Sequence, residues 1–411
     1  MGMQGPTVDP ADFWHVMEPT HWPDPPDWSS VSTQLEIEEC PRRWALKAAS
    51  YPFEWGGNGY PPKFRPASEQ GTIIHRALEL IMNAFVAAGI PSVADPLAVA
   101  VLKELGGYSK IIGETIETVL ENHVKNPRDV LSLVEHRRKL LSAGPVMRES
   151  VQSILSNVSL RGGVPPERQL QSQARVPSQG RVPLTNGSRT EVALYARRID
   201  WKGKADLVTV DENSCEIVDF KSGAFKSAHE VQIRTYAALW FLDDELNPNR
   251  RRADRLRLLY PTQTCEVPAP SESEIEAIAR DLVNRRQVSA QELAAVPPTA
   301  RPSEASCSFC EVRHLCDPYW HSALGAHERG TIDLQIEILA IHGPASWDAV
   351  VTGTPQAVPH SRVLVRARHQ QGFRPGDRVR ILGVGLAMDV ENASAPGIVI
   401  MHPSSEVYRL D

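Results

Sequence analysis

The chain has 411 residues, of which 42% are hydrophobic and 23% charged, and its formal net charge at pH 7 is -6. This length allows two or three domains, and the composition is that of a globular protein. The negative net charge excludes a globally basic surface, so a nucleic-acid partner must be held by local patches or through metal ions. No apolar run is long enough for a transmembrane helix, and the first residues lack the basic segment and apolar core of a secretory signal, so we expect neither. The six cysteines are too few for a disulfide scaffold, and their spacing indicates metal ligation in a reducing cytoplasm.

Residues 1–31 form a predicted N-terminal arm that is rich in proline. Proline at this density excludes a regular helix or a central strand. The arm carries Trp14, Trp22 and Trp28. We expect these tryptophans to anchor the arm by packing against the protein, and stacking on DNA bases is the alternative.

The first predicted helix runs from Gln34 to Ala49. Thr33 and Glu36 have the spacing of a capping box, in which a threonine side chain caps the helix and a glutamate reaches back to it. Cys40 lies on this helix. A lone cysteine on an amphipathic helix is usually a small core residue, but cysteines later in the chain make metal ligation the competing interpretation.

Residues 67–160 are predicted to be a helical block, which begins with a long apolar-periodic helix. His75 and Glu79 lie four residues apart on that helix and therefore share one face. Two interpretations are open at this point. In one of them, Glu79 satisfies a structural histidine at a helix contact, and in the other, His75 is a metal ligand.

A β-hairpin is predicted in the middle of the chain. Trp201–Val210 has the pattern of a buried strand, and Glu216–Phe220 follows it after a short turn. Asp206 interrupts the apolar run of the first strand, where a carboxylate is unfavourable unless it is paired or bound to a metal. Because the hairpin returns the chain alongside itself, Asp206 and Asp219 are expected to converge.

Asp219 and Lys221 lie two residues apart, so their side chains point to the same face of the second strand. An ordinary surface ion pair is one interpretation. The other is metal-assisted phosphodiester hydrolysis, in which the carboxylate holds a divalent ion and the lysine orients or deprotonates a water. Asp206, Asp219, the backbone carbonyl of Phe220 and waters then form an oxygen-rich site for Mg²⁺ or Mn²⁺.

Four motifs in this order resemble the RecB-type exonuclease branch of the PD-(D/E)XK nuclease superfamily: Gly71-x3-His75-x2-Leu78-Glu79, Gly203-x2-Asp206, Val218-Asp-Phe-Lys-Ser-Gly223 and Gln232-x3-Tyr236. The resemblance implies an α/β fold with a restriction-endonuclease-like mixed sheet flanked by helices, over residues 32–325. It also implies His75, Asp206 and Asp219 around the metal and Lys221 at the water. Gln232 and Tyr236, which share one face of a predicted helix, are implied to position the lysine and the DNA. Ala205 stands where the motif name has proline, a difference that RecB-type members often share.

Four arginines crowd the segment before a predicted strand at Leu256–Tyr260: Arg250, Arg251, Arg252 and Arg255. They are the candidate DNA-binding residues, because arginines contact backbone phosphates. A solvated loop is the alternative interpretation of the same segment.

Three closely spaced cysteines lie near the end of the predicted nuclease domain: Cys307, Cys310 and Cys316. The Cys-x2-Cys-x5-Cys spacing is typical of metal or cluster ligation. Cys40 is the natural fourth ligand, because Cys215 and Cys265 fall in the predicted sheet. One cysteine before the core and three after it resembles the iron–sulfur nucleases, such as the AddB nuclease domain and the CRISPR-associated RecB-like exonucleases. The resemblance implies a structural four-iron four-sulfur (4Fe-4S) cluster, with zinc, bound by four cysteines or by three and His314, as the alternative.

Residues 331–411 are predicted to form a small all-β domain of OB-like barrel type, because five short alternating runs are separated by turn residues. Six arginines give it a predicted basic surface: Arg362, Arg366, Arg368, Arg374, Arg378 and Arg380. Single-stranded DNA binding and a role as a protein-docking or structural cap are both open.

The sequence thus predicts a metal-dependent DNA nuclease. The predicted activity is that of an exonuclease on single-stranded or frayed DNA ends. One alternative is an endonuclease or nickase in a DNA-processing or phage-defence complex. Another is a non-catalytic DNA-binding scaffold subunit that retains the nuclease fold. The resemblance implies work in DNA repair or antiviral defence, with a helicase or defence-complex protein as partner.

Overall fold

The computed structural model describes residues 13–53, 55–162, 181–327, 330–343, 345–358, 361–367, 372–387 and 396–410. The first 12 residues of the predicted arm, and Arg368 of the predicted basic surface, lie outside these ranges. The chain forms two compact units. The sheet unit comprises the described parts of Pro26–Gln34 and Phe64–Val288. The cysteine–barrel unit comprises those of Met1–Pro25, Leu35–Lys63 and Ser289–Asp411.

The helices of the described residues are α1 (Val31–Glu39), α2 (Pro41–Ala48), α3 (Pro66–Ala87), α4 (Ala98–Glu104), α5 (Gly107–Glu121), α6 (Leu133–Ser156), α7 (Ser227–Leu242), α8 (Glu272–Leu293), α9 (Glu304–Ser308) and α10 (Asp317–Trp320). The strands are β1 (Gly187–Ala196), β2 (Trp201–Val210), β3 (Cys215–Phe220), β4 (Arg255–Leu259), β5 (Thr264–Val267), β6 (Ile332–Ile341), β7 (Ser346–Gly353), β8 (Arg362–Arg366), β9 (Arg378–Ala387) and β10 (Gly397–Leu410). None of these helices combines the length and the apolar content that a membrane crossing requires.

The predicted helix from Gln34 to Ala49 is in fact two helices, which separate at Cys40. Pro41 opens α2, and because a proline forces the preceding residue out of the helical region, Cys40 adopts φ -160° and ψ 104°. The predicted capping box at Thr33 is also wrong. Ser30 caps α1 instead, since its Oγ accepts a hydrogen bond from the Thr33 amide at 3.2 Å. Cys40 therefore stands at a helix start rather than inside a helix.

The sheet unit is built around five strands in the order β1-β2-β3-β4-β5. β3 and β4 are parallel, and the other neighbours are antiparallel. Side chains alternate between the two faces of β3: Val218 and Phe220 pack in the cluster formed by α3, α5 and α6, whereas Ile217 packs with α7 and α8. Helices thus pack on both faces, as the predicted mixed α/β class requires.

The cysteine–barrel unit contains a closed barrel of five strands in the order β10-β8-β7-β6-β9. β8 and β10 are parallel, and the remaining pairs are antiparallel. The inward residues of these strands form a continuous apolar core. A second cluster joins Phe13 of the arm to Tyr60, Tyr319 and Tyr408, and Trp14 packs at its edge. Trp14 therefore anchors the arm by packing, as predicted.

Asp333 of β6 is the centre of a buried polar network in the same unit. Its Oδ2 accepts hydrogen bonds from Arg313 Nε at 2.5 Å and from the Tyr319 hydroxyl at 2.7 Å. Its Oδ1 accepts one from the Gly383 amide at 2.7 Å. Burial opposes ionisation, but the charge of Arg313 and the hydrogen bonds outweigh it and hold the pKa of Asp333 far below its usual range. Arg313 lies between Cys310 and Cys316 in the sequence, so this network fixes the cysteine segment to the barrel.

A buried histidine in the sheet unit has two carboxylate neighbours. His123 Nδ1 lies 2.7 Å from Asp129 Oδ2, and its Nε2 lies 3.8 Å from Glu69 Oε1. His136 Nε2 lies 3.6 Å from the other oxygen of Asp129. The hydrogen bond to Asp129, followed by the contact with Glu69, raises the pKa of His123 to about 9. The folded chain therefore holds this proton more tightly than an unfolded chain does.

We expect this histidine to make stability fall in mildly alkaline solution. An unfolded histidine titrates near pH 6.5, roughly, so the stabilisation is fully present below that pH and is lost as the pH rises through about 9. Urea unfolding followed by circular dichroism at several pH values measures this slope. His123→Gln should flatten the dependence above neutrality, and an unchanged slope in that variant would contradict the assignment.

Candidate functional site

A line of polar side chains follows the carboxyl end of β3. Lys221 Nζ lies 2.6 Å from Asp219 Oδ2 and donates a hydrogen bond to Gln232 Oε1 at 2.8 Å. Gln232 Nε2 in turn donates to the Tyr236 hydroxyl at 2.7 Å. Gln232 and Tyr236 stand one turn apart on α7, which packs on this face of the sheet. The structure therefore brings together the four residues that the sequence placed on one strand and one helix.

Asp206 of β2 connects this line to α3. Its Oδ1 lies 3.3 Å from His75 Nδ1, and its Oδ2 accepts a hydrogen bond from the Phe220 amide at 2.5 Å. Glu79, the alternative partner for His75, is paired with Arg76 instead. His75 thus faces the carboxylates of the sheet. The role predicted for the Phe220 carbonyl stays a prediction.

Glu191 of β1 joins the group, although the sequence-based reasoning did not include it. The ligand atoms of His75, Glu191 and Asp206 all lie within 4.8 Å of one another. The register of β1 with β2 sets Glu191 opposite Asp206. Glu191 has a φ of 51°, a left-handed conformation that is unfavourable for a residue with a side chain and that concentrates at functional sites. The sequence pattern does not single out Glu191, because it lies at a half-buried position of the alternating β1 strand, whereas Asp206 lies within a buried run of β2.

The electrostatics of the group fit a bound divalent cation. Burial and the charge of Asp206 raise the pKa of both Glu191 and Asp219, since three carboxylates crowd one region. Burial lowers the pKa of His75, but the hydrogen bond and charge of Asp206 outweigh it and raise that pKa overall. Burial is the larger cause of the raised pKa of both carboxyls, and the repulsion between like charges adds to it. Carboxylate oxygens with one imidazole suit Mn²⁺ or Mg²⁺, and metal binding must displace the proton from His75.

Two glycines of the sequence motifs, Gly71 and Gly203, lie so close to neighbouring side chains that a Cβ atom would crowd them. A Cβ atom at Gly203 would lie 2.8 Å from Leu239 Cδ1 and 3.0 Å from Tyr236 Cε1. A Cβ atom at Gly71 would lie 3.0 Å from Ser222 Oγ. A side chain at Gly203 would displace α7, and one at Gly71 would crowd α3 against the loop after Lys221. Both glycines therefore allow the helices that carry site residues to reach the sheet.

The predicted DNA-binding arginines lie away from this site: Arg250, Arg251, Arg252 and Arg255. They precede β4 or begin it, and β4 is parallel to β3. They consequently lie at the amino end of these strands, whereas Lys221 follows the carboxyl end. Arg250 is paired with Asp244 and Arg255 with Glu266. The structure does not bring them to the site, and their contact with DNA stays a prediction.

The four clustered cysteines line one cavity in the cysteine–barrel unit: Cys40, Cys307, Cys310 and Cys316. Arg42, Arg43 and Arg313 also line this cavity. All four thiols are free and buried. Helix starts and tight turns hold them, since Cys40 and Cys316 directly precede α2 and α10.

The surroundings of these thiols combine burial with groups that stabilise negative sulfur. Burial raises the pKa of the Cys310 thiol to about 12 and that of Cys316 to about 11. Hydrogen bonds at the backbone of Val312 and Tyr319, together with nearby arginines, oppose this rise. Buried neutral thiols around one cavity with arginines at its wall are the arrangement that a bound metal centre would convert to thiolates. His314 is not among them, because its Nε2 pairs with the Tyr60 hydroxyl at 2.6 Å.

The sequence was compared with protein-family models and with curated proteins. A model described as the PD-(D/E)XK nuclease superfamily matches residues 29–317. This span is well over half of the chain, and it includes both the carboxylate group and the four cysteines. No curated protein matches the chain.

Proposed function

Because the chain belongs to the PD-(D/E)XK nuclease superfamily, whose members are metal-dependent nucleases, and DNA is the implied substrate, we propose that it is an exonuclease of single-stranded or frayed DNA ends. One observation carries the proposal. The His75, Glu191 and Asp206 group meets, at one end of β3, the line of polar side chains that contains Lys221, here called the Lys221 line. The preference for ends rests on the resemblance of the four motifs to RecB-type exonucleases.

Some of these residues would bind the metal ion, and Lys221 would orient the attacking water. His75, Glu191 and Asp206 would hold the ion, with Asp219 beside them. The bound ion supplies Lewis-acid stabilisation of the charge that develops on the phosphate oxygens. An ammonium group has three N–H donors, and two of those on Lys221 face Asp219 and Gln232. The third remains for the attacking water, which Lys221 orients towards the scissile phosphate.

We also propose that the cysteine cavity holds a structural 4Fe-4S cluster. The support is the resemblance to the iron–sulfur nucleases together with the meeting of four thiols at the wall of one cavity: Cys40, Cys307, Cys310 and Cys316. A zinc ion held by the same thiols is the alternative. Cys310 and Cys316 also have backbone hydrogen bonds, which tune and stabilise cluster thiolates.

The strand order of the barrel supports an OB-like assignment for residues 331–411. OB barrels have five strands in a Greek-key arrangement, and here β10 lies between β8 and β9. Arg362 and Arg366 are exposed on β8, so single-stranded DNA is one proposed ligand. A cytoplasmic location is part of the proposal and rests on the cysteine usage. A role in DNA repair or antiviral defence, with a helicase or defence-complex partner, rests on the resemblance alone.

A time course on two substrates tests the proposed activity. We expect the purified protein to shorten an end-labelled single strand when Mn²⁺ or Mg²⁺ is added, and chelation with EDTA should stop the reaction. Covalently closed circular single strands should resist cleavage because they have no end. Cleavage of the circle would favour the endonuclease or nickase alternative, and no cleavage of either substrate across a metal titration would favour a scaffold subunit.

A further inference from the structure

An aromatic side chain stands exposed beside the candidate active site. β3 and β4 are parallel, and Phe220 pairs with Leu259 at their carboxyl ends. The next residues along the two strands are Lys221 and Tyr260, and the Lys221 amide donates to the Leu259 carbonyl at 2.9 Å. Ligands of open α/β sheets bind outside the carboxyl ends of the strands. The loop of residues 222–226, which connects β3 to α7, lies at this end.

Phe225 of that loop is 43% exposed. Its ring lies 6.2 Å from the ring of Tyr260, at an interplanar angle of 53°. Tyr260 is buried, and its hydroxyl is fixed by a hydrogen bond with His229 Nδ1 at 2.8 Å. The exposed ring therefore packs against a residue that the sheet and α7 hold in place.

The charge around this ring suits a phosphodiester. Burial, followed by the charges of Lys221 and Lys226, lowers the pKa of His229. Both ammonium groups therefore contribute positive charge at the His229 side chain. Lys226 is exposed, and among the residues that the structure describes it forms no ion pair with a carboxylate. An exposed aromatic ring among cations is the combination by which proteins bind single-stranded nucleic acid, the ring stacking on a base and the cations meeting the backbone.

We propose that Phe225 is a stacking platform for the base of the nucleotide next to the scissile phosphate. The inference rests on the proposed nuclease function and gives a physical reason for a single-strand preference. A base that stacks on Phe225 while its phosphate lies at Lys221 must leave the stack of a duplex, and an unpaired base does so at the lowest free-energy cost. Tyr260 and His229 act through Phe225 as positioning residues.

Binding without turnover tests the platform. Fluorescence anisotropy in Ca²⁺ would be measured with a labelled single-stranded oligonucleotide, and with the same backbone carrying abasic residues. Phe225→Ala should weaken binding of the normal strand by about 5- to 150-fold, the range for loss of one stacked base. It should leave binding of the abasic strand unchanged, whereas Phe225→Trp should retain the affinity. Val231→Ala, which removes exposed apolar surface from α7 without removing a ring, is the matched control.

Equal loss on normal and abasic strands would show that Phe225 acts through the fold or the charge, and this result overturns the platform. An unchanged affinity for both strands overturns it as well, and would point to a protein contact at Phe225. Cleavage by the wild-type protein is measured separately, so its absence would remove the nuclease proposal while the binding result still decides the platform.

Discussion

Asp219→Ala and Lys221→Ala are each expected to lower Mn²⁺- or Mg²⁺-dependent DNA cleavage by roughly 10³-fold or more, because each removes a group that acts at the metal or at the water. The fold should remain intact in both. Asp219→Ala removes a buried carboxylate that is already crowded by Asp206, and in Lys221→Ala the raised pKa of Asp219 lets this carboxyl bind a proton instead of remaining as an unpaired charge. Single-turnover cleavage of an end-labelled strand gives the rates, and thermal melting followed by circular dichroism reports the fold.

The exposed Lys202 provides the control for the lysine variant, since it lies on β2 but outside the Lys221 line. Lys202→Ala should cleave at the wild-type rate. Full activity in either Asp219→Ala or Lys221→Ala would refute the assignment of the active site, whatever the control shows.

Cys310→Ala is expected to remove the metal centre and to destabilise the cysteine–barrel unit. The wild-type protein should be brown and contain about four iron atoms per chain, with thiolate-to-iron absorption in the visible range. The proposed centre would close a loop of roughly 270 residues between Cys40 and Cys307, and a cross-link of that length stabilises a chain by on the order of 5 kcal/mol. The variant should therefore be colourless. The part of the thermal unfolding transition that comes from the cysteine–barrel unit should be lost.

Cys265→Ala is the matched control, because this free cysteine lies on β5, away from the cavity. It should keep the colour, the iron and the melting temperature. A colourless wild-type protein with one zinc ion per chain would disprove the cluster, and an iron content unchanged in Cys310→Ala would disprove its ligand set.

Much of the candidate site could be predicted because its residues obey local rules. Asp219 and Lys221 share a strand face through the two-residue alternation, and Gln232 and Tyr236 share a helix face through the four-residue spacing. The hairpin from β2 to β3 then brings Asp206 beside them. Each of these relations spans fewer than about 20 residues, so the sequence pattern alone determines it.

The features that were missed depend on tertiary geometry or on backbone chemistry. Glu191 reaches the site through the register of β1 and a left-handed φ, neither of which a hydrophobic pattern encodes. The break at Cys40 follows from Pro41, which outweighed the helical periodicity around it. The position of the arginine segment before β4 depends on β4 being parallel to β3, and strand direction is not a property of either strand by itself.

The interleaving of the two units has a consequence for synthesis of the protein on the ribosome. The cysteine–barrel unit needs Leu35–Lys63 together with residues that begin at Ser289, whereas Phe64–Val288 of the sheet unit is continuous. At translation rates of about 5–20 residues per second, Cys40 waits roughly 13–55 s before the cysteines that share its cavity emerge. During that time α2 has no packing partner from its own unit beyond residue 63. Insertion of the proposed cluster would therefore come late, and the Cys40 thiol would have to stay reduced until then.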